Sequence, residues 1–136
     1  MKSIDMAELI LDAYQLADEL KESPEVQEYL IRKKQMEQCS AAQKLIQEFQ
    51  QAKLLFEETR RFGIFHPNYH EAKERAEALQ RYMNEQAEIG AFQEAEKRLD
   101  QLLFQISNML AKAVSNSIKV PNDFALTAGK KKACSI

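Results

Sequence analysis

A three-and-four spacing of apolar residues runs through most of this chain and is interrupted at one place, residues 62–69. Residues three and four apart lie on one face of an α-helix, so the spacing predicts helices that bury one face against each other. It is strict in the last long segment, at Phe92, Ala95, Leu99, Leu102, Ile106, Met109 and Ala113. Before the interruption it occurs at Leu45, Phe49, Ala52, Phe56 and Thr59. The chain is therefore predicted to be all-α, with coiled-coil-like packing.

The interruption itself predicts a turn between two antiparallel helices. Gly63 stands where a helix commonly ends in a left-handed residue. Arg60 and Arg61 precede it, in the last turn, where cations complement the free carbonyl groups. The segment after the turn carries the small residues Ala72 and Ala76, which indicate a close approach to the preceding helix. These features together predict an antiparallel helical hairpin.

Four short patterns predict where helices begin. They are Asp5 with Glu8, Ser23 before Pro24, Ser40 with Gln43, and Asn68 with Glu71. A looser stretch at residues 84–87 separates the last helix from the one before it. The sequence thus predicts a bundle of four to five helices.

The length of 136 residues fits a single domain, which is predicted to span residues 1–120. The apolar spacing ends at Val120, and residues 121–136 are predicted to form a disordered tail. Acidic residues interrupt the first segment, which argues against a secretory leader, and polar residues within 101–120 argue against a membrane span. Two cysteines are too few for a disulfide framework. A cytoplasmic protein without membrane insertion is expected.

The last helix carries apolar residues on more than one face. Leu103, Leu110 and Val114 widen its stripe beyond the strict three-and-four positions. A hairpin of this length offers too little surface to cover both faces, so the second face is predicted to meet another subunit. These three residues are the predicted oligomer interface, and a homo-oligomer is expected.

Motifs for catalysis are missing from the sequence. The glycines are too far apart to form a phosphate-binding loop, and no nucleophile elbow is present. His66 and His70 are four apart, but Pro67 lies between them, so a packing or capping role in a turn is favoured over a zinc site. The net charge of −2 does not indicate nucleic acid, and direct DNA binding is not expected. The protein is predicted not to be an enzyme.

Of the two cysteines, Cys134 is predicted to have the more accessible thiol. It follows Lys130–Lys132, and nearby cations favour the thiolate. An iron–sulfur cluster usually needs four such ligands, so one chain can supply only part of a cluster shared between subunits. An incidental exposed cysteine fits the local sequence equally well. Cys39 is interpreted as a structural thiol.

Several short motifs stand in a fixed order around the turn. The turn contains Phe62-Gly63 and His66-Pro67-x-Tyr69, and it is preceded by Leu45-Ile46-x-x-Phe49 and followed by Phe92-x-x-Ala95-Glu96-x-x-Leu99. In this combination the sequence resembles the YlbF/YmcA family of small helical bacterial regulators, over residues 8–120. The turn resembles the YlbF branch, whereas the ending Cys134-Ser135-Ile136 resembles the Cys-Ser-Leu ending of the YmcA branch.

The resemblance implies an oligomerising, non-enzymatic regulatory adaptor of Gram-positive bacteria that acts with YmcA-like and YaaT-like partners. Such complexes modulate RNase Y and hence mRNA processing, competence, sporulation and biofilm formation. They are associated with iron–sulfur clusters held by cysteines of several subunits, and Cys134 is the one position that carries over. The residues implied as a partner-binding or structural turn are Phe62, Gly63, His66, Pro67 and Tyr69.

Two other functions fit the same patterns. The first is a homo-oligomeric helical scaffold of another pathway, in which residues 62–69 only join two helices. The second is a weak RNA-binding protein that uses the last helix and Lys130–Lys132, for which binding falls steeply with salt.

Overall fold

The computed structural model describes Ser3 and residues 5–122, and every regular element in that part of the chain is an α-helix. The five helices are α1 (Met6–Lys21), α2 (Pro24–Gln38), α3 (Ser40–Arg61), α4 (Tyr69–Glu85) and α5 (Ala87–Val114). The predicted all-α class is confirmed. Most of the predicted tail consists of residues 123–136. These residues, which include Cys134, lie outside the described part of the chain.

Two long helical arms lie side by side and are joined by the turn at residues 62–68. The first arm consists of α2 and α3, and the second consists of α4 and α5. Helix α3 packs on α4, and α2 packs on α5, which is the antiparallel hairpin that the sequence predicts. Each arm is interrupted once, at Cys39 and at Gln86, and the Gln86 amide nitrogen Nε2 donates to Cys39 Sγ over 3.7 Å. The two interruptions therefore lie next to each other.

Two of the predicted helix starts are confirmed together with a capping bond from the predicted side chain. Asp5 precedes α1, and its Oδ1 accepts from the backbone N–H of Ala7 at 2.9 Å. Ser23 precedes α2, where its Oγ accepts from the N–H of Val26 at 3.4 Å, and Pro24 is the first helical residue. A side-chain acceptor at this position satisfies an N–H group that has no partner within the helix.

A helix begins at Ser40 as predicted, but the predicted capping role of Ser40 is wrong. Ser40 is already the first residue of α3, and Cys39 precedes it without a side-chain capping bond. Gln43 Nε2 instead donates to the carbonyl of Met36 at 3.0 Å. This carbonyl lies in the last turn of α2, where carbonyl groups lack helical donors, so Gln43 joins the two helices across the interruption.

Helix α4 begins after Asn68 and α5 begins within residues 84–87, as predicted, but their caps differ from the expectation. Asn68 precedes α4 but makes no side-chain capping bond, and its backbone is not extended as in a typical cap. The start of α5 is capped by Gln86, whose Oε1 accepts from the N–H of Ile89 at 2.8 Å. Glutamine is not among the residues preferred at this position, so this cap could not be predicted from the residue type.

The buried core is small and consists largely of alanine. Within the hairpin of α3 and α4 it contains Ala52, Phe56, Ala72 and Ala76, with Tyr69 and Leu79 packed against it. The small side chains let the two helices approach closely, as the sequence predicted. Thr59 is also buried, and its hydroxyl donates to the carbonyl of Phe56 at 2.9 Å, so it leaves no unsatisfied polar group there.

Burial along the stripe of α5 ends before the helix does. Ala95 is buried, Leu102 and Ile106 are half-buried, and Met109 is exposed. Pro24, the first residue of α2, lines the same pocket as Ala95 and Arg98 of α5. The part of α5 after Arg98 therefore extends beyond Pro24, where the first arm begins. The last turns of α5 lack a neighbour from α2.

Helix α1 is amphipathic, but the apolar face that the sequence predicts is largely uncovered. Every residue from Met6 to Gln15 is exposed, and half-burial begins at Leu16. No helix in the described part of the chain is both long enough and apolar enough to cross a lipid bilayer.

Candidate functional site

The turn between the two arms begins at the end of α3. The N–H of Phe62 donates to the carbonyl of Thr59, and the N–H of Gly63 donates to the carbonyl of Arg60, both at 3.1 Å. Gly63 has φ +84°, which confirms the left-handed residue predicted there. Residues with a Cβ atom rarely adopt this conformation, so glycine permits the chain to leave α3 in this direction.

Hydrogen bonds hold the remainder of the turn in place. The N–H of His66 donates to the carbonyl of Gly63 at 3.1 Å, and the N–H of Tyr69 donates to the carbonyl of His66 at 3.0 Å. His66 Nδ1 accepts from the N–H of Asn68 at 3.2 Å. Pro67 has no N–H to leave unpaired and fixes its own φ. The turn therefore presents its side chains from a constrained backbone.

The predicted turn residues divide into two groups. Tyr69 is half-buried, and its ring centroid lies 5.5 Å from that of Phe56, so Tyr69 anchors the turn to the core. Phe62 faces outward with 75% of its surface exposed, and its ring lies 5.7 Å from that of His66. Gly63 and Tyr69 thus shape the turn, whereas Phe62 belongs to its outer surface.

Two further apolar residues of the turn, Ile64 and Phe65, are exposed, and neither was among the predicted site residues. Phe65 is 92% exposed. The signal was in the sequence, because both residues are large, apolar and outside any helical spacing, in a segment too short to cover them. We call Phe62, Ile64 and Phe65 the turn patch.

The edge of the turn patch is positively charged. Arg60 and Arg61 immediately precede Phe62, and both are exposed. Neither guanidinium forms an ion pair with a carboxylate among the described residues. An apolar surface with arginine at its rim is a composition typical of protein–protein interfaces.

Replacing Gly63 by alanine is expected to lower the free energy of unfolding by about 1–2 kcal/mol, because the left-handed conformation strains a residue with a Cβ atom. Gly90 provides the matched control, since it lies within α5, and an added Cβ would meet only the carbonyl of Asn84 at 3.9 Å. Gly90→Ala is expected to stabilise the protein by about 0.5–1 kcal/mol. Urea denaturation of both variants measures the difference, and equal effects would contradict the account of the turn.

The predicted oligomer interface lies at the opposite end of the hairpin. Leu103, Leu110 and Val114 are all exposed, and Val114 is 80% exposed. They occupy the part of α5 that extends past the start of α2. Their exposure is the condition for a second subunit to bind there, and the interface itself stays a prediction.

The described residues do not form a metal site. They contain no group of three or more histidine, cysteine, aspartate or glutamate side chains that could hold a metal ion. Cys39 is half-buried and accepts from Gln86, and it is not part of any group of three or more potential metal ligands among the described residues. The prediction that Cys134 contributes one ligand concerns a residue outside the described part of the chain.

Comparison with known proteins agrees with the resemblance seen in the motifs. The family model described as "Control of competence regulator ComK, YlbF/YmcA" matches residues 9–115. Regulatory protein YlbF of Bacillus subtilis (strain 168) is 28% identical over 119 residues, which cover 88% of this chain and 80% of that protein.

A solved structure is similar in fold as well as in sequence. The crystal structure of Bacillus subtilis RicA in complex with RicF contains a chain that is 27% identical, with a TM-score of 0.78. The match covers 85% of this chain and all of that one. The family model covers well over half of the sequence and extends from α1 to the end of α5. This chain therefore belongs to the YlbF/YmcA family.

Proposed function

We propose that this protein is a non-enzymatic regulatory adaptor of the cytoplasm that binds protein partners through the turn patch. The observation that carries the proposal is the exposure of Phe62, Ile64 and Phe65 beside Arg60 and Arg61. Water contact with so much adjacent apolar surface is unfavourable, and a partner that covers it would recover that free energy.

The geometry of the turn also favours binding. Its backbone is held by the bonds of Gly63, His66 and Tyr69, so the patch is ordered before a partner arrives. Side chains that are already positioned lose less conformational entropy on association than those of a flexible loop. Aromatic and arginine side chains in such positions commonly dominate the binding energy of an interface.

The proposed partners follow from the family. They are a paralogous YmcA-like protein and a YaaT-like protein, in a complex that modulates RNase Y-dependent mRNA processing and so competence, sporulation and biofilm formation. Support comes from the family description as a competence regulator and from the related chain that was crystallised in a complex of RicA with RicF.

The proposal is tested by comparing partner capture by the wild type and by the double variant Phe62→Ala, Phe65→Ala. The tagged proteins are purified from the host, and the amounts of the YmcA-like and YaaT-like proteins are measured by mass spectrometry. The double variant is expected to capture at most about one fifth of the wild-type amount of each partner. Truncating a central aromatic contact typically weakens the free energy of binding by more than about 1 kcal/mol. Tyr82→Ala, an exposed aromatic residue of α4, is the matched control and is expected to bind normally.

Other results would favour the alternatives. Unchanged capture by the double variant would show that the turn only joins two helices. Capture of no RNA-processing protein by the wild type would favour a homo-oligomeric scaffold of another pathway. Direct RNA binding that weakens steeply with salt would indicate an RNA-binding protein.

The shared iron–sulfur cluster is a separate part of the proposal. The complex purified without oxygen is expected to contain iron and to absorb visible light, and both signals are expected to fall in Cys134→Ser. Wild-type complex without iron would contradict the assignment of Cys134 as a cluster ligand.

A further inference from the structure

The interruptions of the two arms, at Cys39 and at Gln86, are each one residue long. Cys39 has φ −80° and ψ 106°, and Gln86 has φ −73° and ψ 124°, so both are extended between helical neighbours. Sharp kinks in helices commonly occur at proline or at glycine–serine pairs. Neither proline nor glycine occurs within residues 37–42 or 84–89. The residue types at the interruptions therefore do not forbid a continuous helix in either arm.

The residues that face inward keep the spacing of a helix through both interruptions. In each arm, three half-buried residues follow one another at a step of three and then a step of four. They are Met36, Cys39 and Gln43 in the first arm, and Met83, Gln86 and Gly90 in the second. Steps of three and four return to the same face of a continuous α-helix. A continuous helix in either arm would therefore keep these residues on the face toward the opposite arm.

Side chains supply the bonds that a continuous backbone would supply. Gln43 Nε2 donates to the carbonyl of Met36 at 3.0 Å, and Gln86 Oε1 accepts from the N–H of Ile89 at 2.8 Å. In a continuous helix each backbone N–H group bonds to the carbonyl four residues before it, so the same carbonyl and the same N–H group would have backbone partners. Conversion between the two states thus exchanges one set of hydrogen bonds for another.

The two arms have to convert together. An extended residue advances the chain by about 3.3 Å and a helical residue by about 1.5 Å, so each arm would shorten by roughly 2 Å. Shortening of one arm alone would slide it along the other and separate Gln86 Nε2 from Cys39 Sγ, which are 3.7 Å apart. An open groove lies at the same level, lined by Gln38 and Cys39 of the first arm and by Ala87 and Glu88 of the second, and it leaves room for the change.

We propose that Cys39 and Gln86 form a paired hinge, at which both arms convert together between the interrupted helices and two continuous helices. The continuous state is the minor one, with a population of about 0.1–10%. Conversion changes the direction of the half that carries the turn patch relative to the half formed by α2 and α5. A protein that contacts both halves would therefore shift the equilibrium toward the state that it fits. The hinge does not depend on the proposed function.

Proline substitutions test the hinge, because they fit only one of its states. Proline is favoured at the first position of a helix and requires an extended residue before it. Ser40 and Ala87 are the first residues of α3 and α5, and each follows the extended residue of an interruption. Within a continuous helix, proline would remove a backbone bond and clash with the preceding turn. Ser40→Pro and Ala87→Pro are therefore each expected to keep the interrupted state and to exclude the continuous one.

NMR relaxation dispersion of the full-length chain measures the conversion, since it detects minor states that exchange within microseconds to milliseconds. The wild type is expected to show exchange around both Cys39 and Gln86, with one common rate and with helical Cα chemical shifts in the minor state. Ser40→Pro is expected to abolish the exchange around Gln86 as well as that around Cys39. Ala87→Pro is expected to do the same from the second arm. Ser40→Ala removes the same hydroxyl without restricting the backbone, so this matched control is expected to keep the exchange in both arms.

Several results would overturn the paired hinge. Absence of exchange in the wild type would show that the interruptions are rigid. Exchange around Gln86 that persists in Ser40→Pro would show that the two arms change independently. A minor state with the Cα chemical shifts of an unfolded chain would indicate local unfolding in place of a continuous helix. Helical Cα chemical shifts in the remaining segments check that each variant is folded, and Ala87→Pro provides the reciprocal test if Ser40→Pro does not fold.

Discussion

Replacing Phe56 by alanine is expected to lower the free energy of unfolding by about 3–5 kcal/mol, the largest effect of any single change considered for this chain. Phe56 is 7% exposed and is the only large side chain in a core that otherwise consists of Ala52, Ala72 and Ala76. Those alanines are short and fixed on closely packed helices, so they cannot move to fill the space that the ring leaves. The ring contact that fixes Tyr69, and with it the turn, is lost as well.

Urea denaturation followed by the circular dichroism of the helices measures this loss. Phe65→Ala is the matched control, because it removes the same ring from a side chain that is 92% exposed, and it is expected to change the free energy of unfolding by less than about 0.5 kcal/mol. Since small domains are typically stable by about 5–15 kcal/mol, this loss is a large share of the total and is expected to lower the midpoint of the urea transition clearly. Equal effects of the two substitutions would contradict the assignment of the core.

The periodic part of the sequence was sufficient to predict the hairpin. The three-and-four spacing identified Ala52, Phe56 and Thr59 as one face of α3, and all three are buried. Ala72 and Ala76 indicated a close approach of α4, and both are buried as well. These predictions succeed because helix periodicity and side-chain size act locally, and the same residues that specify a helix also specify the face that it buries.

Features that depend on the register between the two arms could not be predicted in this way. Gln86 donates to Cys39, which is 47 residues away, so this contact depends on an alignment of the two arms that no local pattern contains. The uncovered state of α1 has a similar origin. The spacing within α1 indicates an apolar face. Whether another helix of the same chain can cover that face depends on the length of α2 and on the position of Pro24, where α2 begins.

The candidate site was predicted in part, for a related reason. The turn motif located the segment and identified Gly63 as its left-handed residue, since that requirement is local. Ile64 and Phe65 were missed although their apolar character outside any helical spacing was visible, because that character alone does not decide whether a turn residue packs on the core or faces outward. In the folded chain both side chains face outward, and Phe65 is 92% exposed.

Replacing Ile89 by alanine is expected to lower the free energy of unfolding by about 2–4 kcal/mol and to loosen the other half of the hairpin. Ile89 is 2% exposed and lies in the first turn of α5, where its N–H donates to the cap Gln86. Few side chains are buried in this half, so a cavity there removes a large share of the packing that holds α5 in place.

Ile31→Ala is the matched control for Ile89→Ala, since Ile31 lies in α2 and is exposed, and a loss below about 1 kcal/mol is expected for it. Hydrogen exchange distinguishes the two halves of the molecule, because regions of a protein can open separately with different free energies. Ile89→Ala is expected to speed exchange first in α2 and α5, whereas Phe56→Ala is expected to speed it first in α3 and α4. Uniform acceleration in both variants would mean that the interruptions at Cys39 and Gln86 do not divide the hairpin, and that its two halves, α2 with α5 and α3 with α4, open as one cooperative unit.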